Sequence, residues 1–229
     1  PPRSLKSIAV SVAFPAYVLG RDPRQKIVCV SYSHELAYKH ARDCRALIEA
    51  AWYRAIFPRT RIDRDKNTQA EFVTTRKGFR LATSVLGTLL GRGGNILILD
   101  DVLKPDEALF DVQRARVIEW YRGTLATRTD DKTRDITIVI QQRIHEEDLV
   151  GVLLEQGGWT HLNLPAIAEE AQIIPLGPHL VHLRAQGDVL HPAREPYEAL
   201  VRLKTEMGSY AFAAQYQQSP APRGGGTVK

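Results

Sequence analysis

The chain has little sulfur and no long apolar run, and each shortage narrows what it can be. Only two cysteines, Cys29 and Cys44, stand among its 229 residues. One falls in an expected strand and the other in an expected helix. That reads as two buried free thiols rather than a disulfide or a metal site. No stretch of about 18 consecutive apolar residues occurs, so no membrane-spanning helix is expected, and no secretory signal pattern opens the chain. No internal repeat is found. These shortages lead to the expectation of a cytoplasmic protein without membrane partners.

What is present suits a globular enzyme or binding module. At 44% apolar residues the chain can bury a substantial core. A formal net charge of +5 permits contact with a polyanion without demonstrating it. The most informative stretch runs from Gly91 to Asp101. Ile96-Leu97-Ile98-Leu99 reads as a strand buried on both faces, as in a parallel sheet covered by helices. It stops at two acids, Asp100 and Asp101, at the strand end where ligands bind in open α/β sheets. Such a pair fits the Walker B arrangement, one carboxylate for Mg²⁺ and one for the attacking water. A solvated acidic turn is the plainer alternative.

The N-terminus offers Pro1-Pro2-Arg3-Ser4-Leu5-Lys6-Ser7 before a mostly apolar segment, Ile8 to Leu19. Lys-Ser opening a helix is the end of a phosphate-binding loop: Lys6 neutralises phosphate oxygens and the Ser7 hydroxyl ligates Mg²⁺. The usual glycine before the lysine is here Leu5, and a basic N-terminus of no special role is the alternative reading. A working loop needs a strand in front of it, so the sequence looks cut at this end.

Lys26 to Ser33 reads as a second buried strand and His34 to Ala55 as a helix capped by Ser33, a β–α unit. Pro58 to Thr68 reads as a polar surface connection whose Arg59, Arg61, Arg64 and Lys66 offer contacts to a phosphate backbone. Glu71–Thr75 and Phe79–Val85 read as short strands around a Lys77-Gly78 turn. Beyond the acids, Pro105 is expected to start a helix with a buried stripe at Ala108, Val112, Ala115, Ile118, Tyr121 and Leu125. Ile136–Ile140 reads as a buried strand ending in Gln141-Gln142-Arg143. A helix over Glu146–Gln156, a strand over Trp159–Leu164 and a loop-rich Pro165–His191 follow. His145-Glu146-Glu147-Asp148 lacks a second histidine four residues on, so it reads as a helix start rather than a metal site. Two short helices broken near Gly208 and a Pro/Gly linker from Ser219 complete the pattern.

Lys6-Ser7, Asp100-Asp101 and Gln141-Gln142 thus end successive units in the order phosphate loop, Mg²⁺ and water site, γ-phosphate sensor. Longer strings are more specific. Pro1 to Ser7, Gly78-Phe79-Arg80-Leu81-Ala82-Thr83-Ser84, Gly87 to Gly93, Ile140 to Leu149, Leu164-Pro165-Ala166-Ile167 and Gln215 to Pro220 carry a resemblance along nearly the whole chain. In these strings the chain resembles the ATPase portion of the large terminase subunit of tailed bacteriophages and prophages, the motor that packages DNA. One branch of that family has Pro-Pro-Arg-His-Leu-Lys-Ser at its phosphate loop, so Leu5 matches it. Ser4 in place of His, and Leu89-Leu90 where Leu-Thr is common, are departures.

The resemblance implies roles. ATP would be bound by Pro2, Arg3, Ser4, Leu5, Lys6 and Ser7, with Arg3 sensing the γ-phosphate and Ser7 and Asp100 holding Mg²⁺. Asp101 falls where many such ATPases have a catalytic Glu, one methylene longer. Gln142 would couple hydrolysis to movement. Arg92 matches the place from which some terminases extend an arginine finger into a neighbouring subunit; a loop arginine holding carbonyls or DNA phosphate is the alternative.

The expected fold is α/β, a P-loop NTPase core of the ASCE type with a mainly parallel sheet between helices. The expected division is a core over 1–165, a small C-terminal subdomain over 166–218 and a linker over 219–229. That linker would lead to an RNase H-like nuclease absent from this sequence. The function implied is ATP-driven translocation of double-stranded DNA into a procapsid, in the cytoplasm of a bacterial host. The implied partners are a homo-oligomeric ring, expected to be a pentamer, a portal protein and a small terminase subunit. A helicase-like ATPase and a nonenzymatic DNA-binding or capsid-assembly module are the alternatives.

Overall fold

The computed structural model describes residues 1–87, 89 and 91–221, with Lys66 described by its backbone alone. Thr88, Leu90 and the Gly-rich end lie outside the described residues, so the Leu-Leu departure and most of the expected linker do too. The chain falls into two compact units, Leu5–Gln141 and a second made of Pro1–Ser4 with the residues from Gln142 on.

The first unit is a six-stranded sheet with helices packed on it. Its strands are β1 (Lys26–Ser31), β2 (Ile62–Asn67), β3 (Glu71–Thr74), β4 (Phe79–Ser84), β5 (Ile96–Asp100) and β6 (Ile136–Ile140), in the order β2-β3-β4-β1-β5-β6. Neighbours from β4 to β6 run parallel, and β2 and β3 add an antiparallel edge. The helices are α1 (Phe14–Arg21), entered through a π-helical segment Ile8–Ala13, then α2 (His34–Glu49), α3 (Ala51–Ile56) and α4 (Asp111–Gly123). Strands of uninterrupted Ile, Val and Leu are buried on both faces, and every residue of β5 is buried. Ile27, Cys29, Ile96, Ile98 and Ile140 alternate onto one face and pack with Val12, Leu19, Cys44 and Ile48 from the helices.

Several expected elements are corrected. Pro58–Thr68 is not merely a connection: six of its residues form β2, a charged edge strand whose pairing supplies what its composition hides. The helix expected over His34–Ala55 breaks at Ala50, which is extended at ψ 143°. The break lets α3 turn so that Tyr53 is buried and donates its hydroxyl to the Ala16 carbonyl at 2.7 Å. A 3₁₀ turn, Glu107–Leu109, follows Pro105, and α4 starts only at Asp111. Its buried face is Arg114, Val117 and Trp120, while Val112 is 75% exposed. The buried Arg114 guanidinium donates to the Ala108 carbonyl and to Asp111, which makes a charged residue acceptable on that face.

In the second unit, α5 (Leu149–Gln156) begins three residues later than expected because Asp148 is its cap. That fully buried carboxylate accepts from the Gly151 and Ile144 N–H groups and from Arg143. Trp159–Leu164 forms no strand, whereas the stretch expected to be loop-rich holds a hairpin of β7 (Gln172–Gly177) and β8 (Leu180–Arg184). Its two ends are drawn in by Arg184, which donates to the Pro165 and Asp188 carbonyls. Helices α6 (Tyr197–Met207) and α7 (Ser209–Gln215) bury Leu200, Phe212 and Tyr216 against Ala166. By its contacts α5 belongs to this second unit.

Both cysteines are free and buried, and burial pushes the Cys44 thiol up to about 12 and Cys29 in the same direction. A thiol that stays protonated and covered does not react. An aromatic disulfide reagent should therefore label neither cysteine in the folded protein and both after unfolding in guanidinium. Rapid labelling of the folded chain would contradict this packing.

Candidate functional site

The site is built where the helix after residue 5 meets the end of β5. Lys6 and Ser7 form the first turn of that helix, which continues through the π-helical segment into α1. Helix starts expose N–H groups and the positive end of the dipole, a setting that suits phosphate. Short π-helical segments inside helices frequently mark functional sites. Arg3 and Leu5 both have left-handed backbones, at φ 55° and 59°. A leucine is a steric outlier there, in the conformation that the usual glycine adopts freely. Leu5 is 58% exposed, so its side chain needs no room in the core, and the strain of its own Cβ against the backbone remains. The loop keeps its shape without the glycine.

Asp100 continues the face of Ile96 and Ile98 and is 1% exposed. Its Oδ1 accepts from the Ser7 hydroxyl at 2.9 Å and its Oδ2 from the Ser11 hydroxyl at 2.6 Å. Four residues separate the two serines, so the helix presents both to one carboxylate. Burial raises the Asp100 pKa, opposed by the Ser11 and Ser7 hydrogen bonds and by the charges of Lys6 and Arg80. Lys6 is lowered by burial and supported by Asp101 and Asp100. Oxygen donors from Ser7 and Asp100, with a lysine alongside, match the chemistry of a hard divalent cation carrying phosphate. Among the described residues no group of three or more His, Cys, Asp or Glu is arranged to hold a metal.

Asp101 turns the chain out of the sheet with a left-handed backbone, φ 44°. Both of its peptide groups are tied: its N–H donates to the Ile140 carbonyl and its carbonyl accepts from Tyr32. Aspartate tolerates this conformation better than most residues. The strained turn fixes where the second acid leaves the strand.

Three residues that the sequence reading passed over join the site. Arg80 is fully buried and donates from Nη2 to the Ser11 carbonyl at 3.0 Å, while its Nε and Nη1 are buried without hydrogen-bond partners. His40 on α2 is buried with Nδ1 3.5 Å from Asp100. Burial, then Arg80 and Lys39, push it down to about 4, so it is a neutral neighbour rather than an ion-pair partner at pH 7. Ser11 is the third. The available signals were an arginine inside an apolar strand, a histidine on the Ala37-Ala41-Cys44 helix face, and a serine one turn after Ser7.

The remaining expected residues are placed as follows. Arg92 is not at the acid pair: it forms an ion pair with Glu71 and its guanidinium lies 5.0 Å from the Phe79 ring centre. Phe79 is level with Lys26 in the sheet, whereas Asp100 is level with Ser31. Pro2, Arg3, Ser4 and Gln142 belong to the second unit, where the Ser4 hydroxyl donates to the Pro2 carbonyl.

Removing Arg80 should expose the cost of the buried acid. Arg80→Met is expected to lower the unfolding free energy by about 3 kcal/mol in urea, and Asp100→Asn in the same background should recover part of it. Strictly additive losses would mean that the two groups do not interact. For His40, the unfolded chain takes up its proton near 6.5 and the folded chain only near 4. Stability is therefore lost as pH falls through that interval. His40→Gln should flatten the dependence of the unfolding midpoint there, and an unchanged slope would remove His40 as its source.

No family model matches the chain, and no curated protein is similar to it in sequence. Among solved structures, two of the ATPase domain of the large terminase of Thermus phage P74-26 are similar at 14% identity. They cover 96% of this chain and 86% of that one. The TM-score is 0.59 for an arginine-to-alanine mutant of that domain and 0.58 for the domain itself. The chain thus has the mixed α/β fold of a phage large terminase ATPase domain, a P-loop NTPase fold.

Proposed function

We propose that the chain is the ATP-hydrolysing motor portion of a phage large terminase, which couples hydrolysis to translocation of double-stranded DNA. The observation that carries this reading is the Ser7–Asp100 hydrogen bond at the start of the helix that follows the left-handed loop, with Lys6 close enough to be influenced by both acids. The terminase ATPase fold supports it.

In this reading Lys6 and the N–H groups of the first helical turn bind and orient the triphosphate, with Arg3 toward the γ-phosphate. Ser7 and Asp100 are the groups that would hold Mg²⁺, which supplies charge neutralisation at the phosphates when bound. Ser11 holds Asp100 by its hydroxyl, and the Arg80 charge opposes the rise that burial imposes on its pKa. Asp101 orients the attacking water and accepts its proton, with its backbone fixed by the left-handed turn at the end of β5. Gln142 couples hydrolysis to movement, and Arg92, once released from Glu71, is available to a neighbouring subunit. A ring of identical subunits, a portal protein and a small terminase subunit are the partners of this reading. The division into a 1–165 core and a 166–218 subdomain, with a nuclease beyond, belongs to it as well.

ATP hydrolysis should be measured for the purified protein with and without duplex DNA. Asp101→Asn is expected to cut turnover by about 10²-fold or more while nucleotide binding persists. Lys6→Ala is expected to lose nucleotide binding itself. Full turnover in either variant would mean that these residues are misassigned. Absence of hydrolysis in the parent, alongside ATP-indifferent DNA binding, would favour a binding module.

A further inference from the structure

Several cations of the first unit pair with acids: Lys26 with Asp130, Lys39 with Asp43, Lys77 with Asp63, Arg92 with Glu71 and Arg114 with Asp111. One cleft is different. An open cavity of about 390 Å³ is lined by Arg21, Asp22, Pro23, Arg24, Arg59 and Arg76. Its single acid is engaged by Arg24 and Gln25. Among the described residues the Arg21, Arg59 and Arg76 side chains have no acidic partner, and all three are exposed. Four arginines facing one already occupied carboxylate leave a concentrated positive field on a concave surface, which is what an extended phosphate chain requires.

The walls are fixed, so the arginines are presented rather than left to drift. Three segments meet here: the end of α1, the loop after α3 and the β3–β4 turn. Buried Thr60 donates to the Leu19 carbonyl at 2.8 Å, joining the first two. Gly78 donates to the Pro23 carbonyl at 3.2 Å and Phe79 to Gln25 at 3.0 Å, joining the first and third. A Cβ on Gly78 would stand 2.4 Å from the Pro23 oxygen, so the close approach requires glycine. The cleft lies at the end of the sheet remote from the acids. Lys26 and Ser31, level with its rim and with Asp100 respectively, are five residues apart on β1, about 16 Å at ~3.3 Å per residue. It is thus a second site, at the far end of the same helix that starts at Lys6.

We propose that this cleft binds the phosphodiester backbone of duplex nucleic acid through Arg21, Arg59 and Arg76. The choice of duplex DNA rests on the motor reading above; the anion chemistry does not. Of the basic residues that the sequence marked between Pro58 and Thr68, Arg59 lines the cleft.

The test is binding of a fluorescent mixed-sequence duplex to the full chain across a salt series. The parent is compared with an Arg21→Ala, Arg59→Ala, Arg76→Ala triple variant and with a control triple at exposed Arg42, Arg116 and Arg122. The cleft triple should lose affinity at least tenfold at low salt. Its log–log salt slope should fall by up to ~2.7, about 0.9 for each phosphate contact removed. The control should keep the parent slope, and both triples should keep the parent's ATP turnover without DNA. Equal loss in both triples, no loss in the cleft triple, or no duplex binding by the parent would overturn the proposal. Displacement of the duplex by inorganic triphosphate at matched ionic strength would reassign the cleft to a free phosphate ligand. A parent that hydrolyses no ATP, with binding lost only in the cleft triple, would sink the motor reading and leave the cleft standing. The converse pattern, DNA-stimulated hydrolysis with an unaffected cleft triple, would do the opposite.

Discussion

A carboxylate with almost no access to water sets the terms for the rest of the first unit. Burying Asp100 costs solvation that the interior has to replace, and two serine hydroxyls, a lysine and a buried arginine replace it. Each of those groups is fixed by something further out. Ser7 and Ser11 are held by the helix, Ser11 by Arg80 through its carbonyl, and Arg80 by its place in β4. The helix that starts at Lys6 is therefore locked to the central strands through polar contacts in an otherwise apolar layer. Buried polar contacts of this kind specify one arrangement of a core more sharply than apolar contacts do.

The same arrangement explains the backbone strain. Leu5 and Asp101 hold left-handed conformations on either side of the Ser7–Asp100 contact. A loop that must aim N–H groups and a strand that must aim a second carboxylate both depart from regular geometry where the chemistry would occur. Polar groups then divide between the ends of the sheet. Acids and hydroxyls gather where the parallel strands terminate, and arginines gather where they begin. The helix from Lys6 to Arg21 runs between them.

Much of this was legible beforehand because it depends on strong local patterns. Four β-branched or long aliphatic residues before two acids defined β5, Ser33 announced α2, and the order of Lys6-Ser7, Asp100-Asp101 and Gln141-Gln142 gave the class of fold. The failures share a cause. β2 is an edge strand with little apolar character, and its structure comes from backbone pairing with β3 rather than from its own side chains. The α4 stripe was displaced because Arg114 reaches carbonyls that make its burial acceptable. Composition carries neither fact.

By itself, then, the sequence determined the parallel core, the start of α2 and the identity of Lys6, Ser7, Asp100 and Asp101 as candidate chemistry. Periodicity and capping act over a few residues and can be read from them. Tertiary structure alone decided that Ser11, Arg80 and His40 surround Asp100, that Arg92 turns to Glu71, and that Arg21, Arg59 and Arg76 share a cleft. Those groupings join residues tens of positions apart. They follow from strand order and from the balance of buried charge, and both exist only once the chain has closed on itself.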